Sequence, residues 1–367
     1  MHRQKLWGSF MAIDLFSLQN LTEDQLHPYF KILNTEDSYL PAKELLKIIS
    51  QNYNDIDGNF VKAFQTEAFD QRFFELYIYC LLKEEYFTLN REYKYPDFVI
   101  EDENGKVKFG LEVTSINSKK SVDKIPTTIN PLDITIDING KIQRWARLLD
   151  TKLNHTIKIN GIEKHYWELD HLKDKPFILA VNDFQGFLQM TWSFEFLLSY
   201  CYGLDDNYNT NGLLPNEVQK DLKQILKKEI NLRFFSQPGA EYISAIIVNP
   251  SATLSKFNRM GKERGYGKKN IDIYCTKSFY DIENDITVVH QDYLDDSVEI
   301  SEKFTDGLIV LKNPNAVNPI YDELFPESLQ FSEENGHLKV FSYNKLCLYN
   351  CEQINLHLID KDSSEAN

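Results

Sequence analysis

Asp97 and Glu112 are the pair whose types and spacing could do chemistry. Between them lies Glu103-Asn104-Gly105-Lys106, and Asn-Gly is the strongest short hairpin signal because both central residues of a type I′ turn need positive φ. With Asn104 and Gly105 as a two-residue loop, opposed positions sum to 209, so Asp97 faces Glu112. The same register pairs Phe98 with Leu111 and Ile100 with Phe109 on an apolar face, while Glu101 meets Lys108 on the other. Opposed carboxylates, with Cβ atoms roughly 5 Å apart, repel unless a cation lies between them. Oxygen-only ligands favour Mg²⁺ or Mn²⁺ over zinc, and such ions commonly share one or two carboxylates with substrate phosphate oxygens. The chemistry this suits is phosphodiester hydrolysis, with the ion activating water and neutralising charge on the phosphate.

Elements must bring these acids together. Phe69, Phe73, Leu76, Tyr77, Cys80 and Leu81 recur at helical spacing and predict a helix to about Glu85. That helix is apolar around most of its circumference, so Glu75 points into dry surroundings and needs a partner. Either Glu75 joins Asp97 and Glu112 at the metal, or Arg72 or another base neutralises it. Strands are predicted at Tyr86 to Arg91, Asp97 to Glu101 and Val107 to Ser115. Alternation at Ile134, Ile136 and Ile138 suggests a short extended element before a helix from Lys141 to about His155. The run from Lys175 to Asp183 reads as a strand buried on both faces. Helix, three strands, helix, strand is a mixed α/β core spanning 61–190. Residues 1–60 read as a helical lead-in, with helix starts near Leu21 and Pro41. Beyond Thr191, helices at Trp192 to Tyr202 and Val218 to Ile230 precede strands at Tyr242 to Val248, Ile271 to Cys275, Gly307 to Leu311 and Leu338 to Ser342. This C-terminal α/β extension, 191–360, reads as a second layer or domain, with Leu213 to Asn216 as its linker and 361–367 as a polar tail.

Pro96-Asp97, then Glu112-Val113-Thr114 after a hairpin, behind a helix bearing Glu75, resembles the PD-(D/E)xK, or restriction-endonuclease-like, nuclease superfamily over roughly 115 residues. The resemblance implies a mixed sheet flanked by helices. It also implies Mg²⁺ on Asp97 and Glu112, assistance from Glu75, and a lysine two residues after the second acid. Thr114 stands at that lysine position and carries no charge. Lys108 shares the face but lies roughly 14 Å from Glu112 along the strand. Lys141, opening the next helix, is the preferred replacement, and Lys152, three turns later, the second choice. Tyr166 to Leu172, Lys175 to Phe184 and Phe257 to Gly261 also resemble bacterial proteins of this type, which implies an accessory or antiviral-defence nuclease acting on DNA. A homodimer or a defence-system partner protein is compatible with that role.

A formal charge of −15 opposes nucleic-acid binding, so the local distribution matters. Lys256, Arg259, Lys262, Arg264, Lys268 and Lys269 against Glu263 give +5 within Ser255 to Lys269, interleaved with Phe257 and Tyr266. Such a segment would serve as a nucleic-acid contact loop, or simply as solvated surface. With 42% apolar residues, 24 Phe and 20 Tyr, the composition excludes extensive disorder. No apolar stretch reaches membrane-spanning length and no secretory cleavage pattern follows the N-terminus, so a cytoplasmic protein without a membrane partner is expected. Five scattered cysteines suit that reducing compartment. His155, His165 and His171 with Cys201 match no usual zinc spacing. With Thr114 in place of the lysine, the competing reading is a nuclease-derived scaffold that binds nucleic acid or protein without turnover.

Overall fold

Apolar runs at Phe177–Asp183 and Ala245–Val248 form adjacent parallel strands buried along their whole length, and one mixed sheet grows outward from them. The computed structural model describes residues 13–116, 138–184, 195–203, 233–267, 271–295 and 302–357, apart from single positions 19, 57, 282 and 285. Its strands are β1 (Thr88–Asn90), β2 (Phe98–Glu101), β3 (Val107–Ile116), β4 (Ile157–Ile159), β5 (Ile162–Lys164), β6 (Phe177–Asp183), β7 (Ala245–Val248), β8 (Ile271–Asp281), β9 (Ile286–Leu294), β10 (Ile309–Lys312), β11 (Leu329–Glu334), β12 (His337–Phe341) and β13 (Leu346–His357). Eight of them make the main sheet, in the order β1-β2-β3-β6-β7-β10-β11-β12. Within it β3, β6 and β7 run parallel, and β10 runs antiparallel to β7 but parallel to β11. The fold is thus mixed α/β, with helices on both faces and a helical N-terminus.

The helices are α1 (Pro28–Thr35), α2 (Leu40–Ser50), α3 (Phe60–Gln65), α4 (Phe69–Glu84), α5 (Ile138–Leu153), α6 (Glu195–Tyr202) and α7 (Leu254–Glu263). One apolar core joins α1 to α4 and α7 to Phe109, Leu111 and Val113 of β3. The other joins Trp145, Leu149 and Leu153 of α5 and residues of α6 to Leu179 and Val181 of β6. Period-two alternation along β3 therefore decides which side chains meet α4 and which meet α5. Helix α4 stops where Tyr86 takes φ 61° and the Phe87 N–H bonds back to Leu82 O at 2.9 Å, turning the chain into β1.

The hairpin follows the predicted register at Phe98↔Leu111 and Ile100↔Phe109, but Glu101 meets Val107 rather than Lys108. Asp102 Oδ1 accepts from both Asn104 N and Lys106 N, at 2.9 Å each, and Gly105 alone takes positive φ, 74°. The turn is therefore longer than two residues, and an irregularity within the pairing, between Ile100 and Glu101, absorbs the extra one.

The C-terminal strands divide between two sheets. β7, β10, β11 and β12 extend the sheet begun by β2 and β3, while β13, β8 and β9 form a three-stranded antiparallel sheet. β8 runs on to Asp281 instead of ending at Cys275, and β9, β11 and β13 are strands the sequence reading did not anticipate. Ile138 opens α5 rather than closing a strand. The predicted element around Ile134 and Ile136, the linker at Leu213, the helix at Val218 to Ile230 and the tail from Lys361 lie outside the described residues. Among the described residues, no helix is long and apolar enough to cross a membrane.

Candidate active site

Asp97, just after Pro96, immediately precedes β2 and lies beside Glu112 of β3. The Asp97 N–H donates to Glu112 Oε2 at 3.3 Å, and the Val113 N–H donates to Asp97 Oδ2 at 2.8 Å. Each carboxylate is thus anchored on the other strand, which fixes both acids at one end of the hairpin. Glu112 and Thr114 are buried, 6% exposed each, on the β3 face that looks toward α5. Desolvation, then the charges of Glu112 and Glu75, hold the Asp97 carboxyl well above the usual carboxylate range.

Positive charge arrives from α5. Lys152 Nζ lies 2.8 Å from Glu112 Oε1, and the Tyr166 hydroxyl donates to the same oxygen at 3.0 Å. The sequence-preferred Lys141 sits three turns back, roughly 16 Å along the helix axis, and its side chain lies outside the described residues. The physical reason for Lys152 is helical phase. Trp145, Leu149 and Leu153 pack toward the sheet, and Lys152 lies one turn beyond Leu149 on that side. That spacing was legible in the sequence, but which end of α5 crosses β3 was not.

Glu75 is buried on α4, and both its oxygens are engaged. Arg72 Nη1 reaches Oε2 at 2.7 Å, and the Tyr53 hydroxyl donates to Oε1. The Arg72 alternative is thus realised, with Tyr53 as an unanticipated second donor. Arg91, also missed, ties this network to the acid pair: Nη1 donates to Asp97 O at 2.6 Å and Nη2 to the Tyr53 hydroxyl at 3.1 Å. Its guanidinium lies 5.0 Å from both the Tyr53 and Phe98 ring centres. Gln71, one turn before Glu75, donates to Val113 O at 2.9 Å and accepts from Ser115 Oγ at 3.0 Å, locking α4 against β3 on either side of Thr114.

The donor chemistry fits a hard divalent cation at Asp97 and Glu112. Both ligands are carboxylates, and the Glu112 charge that raises the Asp97 carboxyl is the repulsion a cation would relieve. Glu75 is not gathered with them: among the described residues no three His, Cys, Asp or Glu side chains come close enough to hold an ion together. The protein would supply two carboxylates and leave the remaining positions to water and substrate oxygens.

The basic segment is not a surface loop. Lys256 to Glu263 belong to α7, and Lys256, Arg259 and Lys262 are buried. Arg259 makes two bonds to Glu302, at 2.7 and 2.8 Å; Lys256 Nζ donates to Asp306 O at 2.6 Å; Lys262 lies 3.7 Å from Asp272. Arg264 is half-buried and donates to Met260 O. These groups satisfy the interior and offer no nucleic-acid contact from Lys256, Arg259 or Lys262. Lys268 and Lys269 lie outside the described residues. No protein-family model matches the chain, nor does any curated protein or solved structure.

Proposed function

We propose that this chain is a divalent-metal-dependent nuclease of the PD-(D/E)xK kind, hydrolysing phosphodiester bonds of nucleic acid, DNA in preference. The observation that carries the proposal is Lys152 on Glu112, beside Asp97: two facing carboxylates and an ammonium at one end of a hairpin. Asp97 and Glu112 would hold Mg²⁺ or Mn²⁺, which when bound supplies activation of water and neutralisation of phosphate charge. Lys152 brings the positive charge that Thr114 lacks. Its ammonium can donate to the attacking water or to an anionic phosphate oxygen while still touching Glu112. Arg91 and the Val113 N–H hold Asp97 in place, so its carboxylate need not reorganise during the reaction. Five free, buried cysteines suit a cytoplasmic setting.

Incubation with plasmid, linear duplex and single-stranded DNA plus Mg²⁺ or Mn²⁺ tests this. Cleavage is expected from the native chain, none from Asp97→Ala, and a fall on the order of 10²-fold from Lys152→Met. Failure to find cleavage that Asp97→Ala abolishes overturns the proposal. The interior placement of the α7 cations favours one second reading, a binding scaffold without turnover whose partner is a protein. Metal-independent, salt-insensitive capture of a protein partner by a chain that cleaves nothing would establish it.

A further inference from the structure

Tyr166 lies in the short turn Tyr166–Glu168 that leads toward β6. The turn is held at its start, where Glu168 Oε2 accepts from the His165 N–H at 2.7 Å and His165 Nδ1 lies 2.8 Å from His155 O. The Tyr166 ring stacks on Phe177 with centres 5.7 Å apart and meets His155 at 5.3 Å, so its two side-chain torsions have little freedom. Next to it, Trp167 stacks on His165 at 4.7 Å and on Tyr242 at 5.7 Å, bracing the turn from outside. The hydroxyl at the end of this stack lands on Glu112 Oε1, the oxygen that Lys152 also reaches.

We propose that Tyr166 is a positioning residue for the metal pair: by committing Glu112 Oε1 to itself and Lys152, it leaves Oε2 turned toward Asp97 and so sets the affinity of the two acids for a divalent cation. The assignment rests on the reading of Asp97 and Glu112 as that pair. A buried phenol stacked for rigidity and bonded to one oxygen of a ligating carboxylate acts as outer-shell partners do, and their loss weakens metal binding by about 10- to 100-fold. Nothing in the spacing of the sequence marks Tyr166, because its distance from Glu112 is closed only by the crossing of β3 with the loop before β6.

The test compares the full-length native chain with Tyr166→Phe, which keeps the ring and deletes one hydroxyl. Mn²⁺ binding is measured by titration calorimetry, and cleavage as a function of Mn²⁺ concentration. The expected result is an Mn²⁺ dissociation constant at least 10-fold weaker, a matching shift in half-activating Mn²⁺, and recovery of most of the native rate at saturation. An unchanged Mn²⁺ affinity beside a native chain that binds Mn²⁺ overturns the positioning role, even if the variant is less heat-stable. A native chain that binds no Mn²⁺ overturns the metal pair itself, and a rate lost equally at every Mn²⁺ concentration assigns Tyr166 a part in packing alone.

Discussion

At the scale of single residues, the site holds a charge the fold would rather not have. The Asp97 carboxyl is raised by burial and by two neighbouring acids, so the native state binds its proton more tightly than the unfolded chain does. The sign follows: stability from this group is greatest below the ordinary carboxylate value of 3.8 and declines as pH rises toward the raised folded value. Asp97→Asn keeps an acceptor for the Val113 N–H and removes the charge. It is expected to melt a few degrees higher than the native chain at pH 7.5, with the difference closing near pH 4, as scanning calorimetry across pH would record. Equal melting at pH 7.5 would show that the neighbours already neutralise Asp97. The closeness of Asp97 and Glu112 was legible from the two-fold alternation of the strands, and it survives a longer turn because the irregularity between Ile100 and Glu101 restores the register. The turn type and the Glu101–Lys108 pairing were misread, since Asp102 captures two N–H groups that a two-residue loop leaves elsewhere and Glu101 pairs with Val107. Lys152 was legible only as the second choice behind Lys141, and Tyr166 not at all, because each arrives from an element whose crossing angle no local pattern encodes.

At the scale of elements, α7 reverses the ordinary meaning of a basic run. Lys256, Arg259 and Lys262 fall at i, i+3 and i+6, one stripe of a helix, and that spacing was the available sign that they share a neighbour. Arg259 and Lys262 meet acids from other elements, and Lys256 meets the Asp306 carbonyl, instead of phosphate. Burial pushes the Glu302 carboxyl up, but the Arg259 guanidinium and its two bonds outweigh this and hold it at about 2. Arg259→Met alone is expected to cost about 3–5 kcal/mol in urea unfolding, because it strands a buried carboxylate. Arg259→Met with Glu302→Leu should recover most of that loss. A double variant as unstable as the single one would mean that the pair contributes through shape rather than charge. The helix also lies hard against α2: a Cβ added at Gly261 would come 2.3 Å from Pro41 O. The N-terminal helices, read from sequence as a lead-in, are therefore fastened to the C-terminal part of the chain.

At the scale of the whole molecule, the main sheet runs across the boundary drawn from sequence at residue 190, since β7, β10, β11 and β12 continue it beyond β6. The core strands were legible because β3 and β6 carry strong apolar runs. Their sequel was not, because pairing of β7 with β6 joins segments about 60 residues apart. A fragment covering 61–190 would leave the second edge of β6 bare, exposing strand hydrogen-bonding groups beside Leu179 and Val181. It is expected to aggregate where the full chain elutes as a discrete species on size exclusion, and a soluble, cooperatively unfolding fragment would refute that dependence. The same topology sets a clock during synthesis. At about 5–20 residues per second, a ribosome that has released β6 needs about 3–12 s to deliver β7, and a similar interval to deliver β10. Throughout the first wait the acids and Lys152 are already outside the ribosome, on a hairpin and helix beside an unclosed sheet edge. Nascent chains should therefore draw on chaperones most heavily between the emergence of β6 and the emergence of β7, after the whole candidate site has been synthesised.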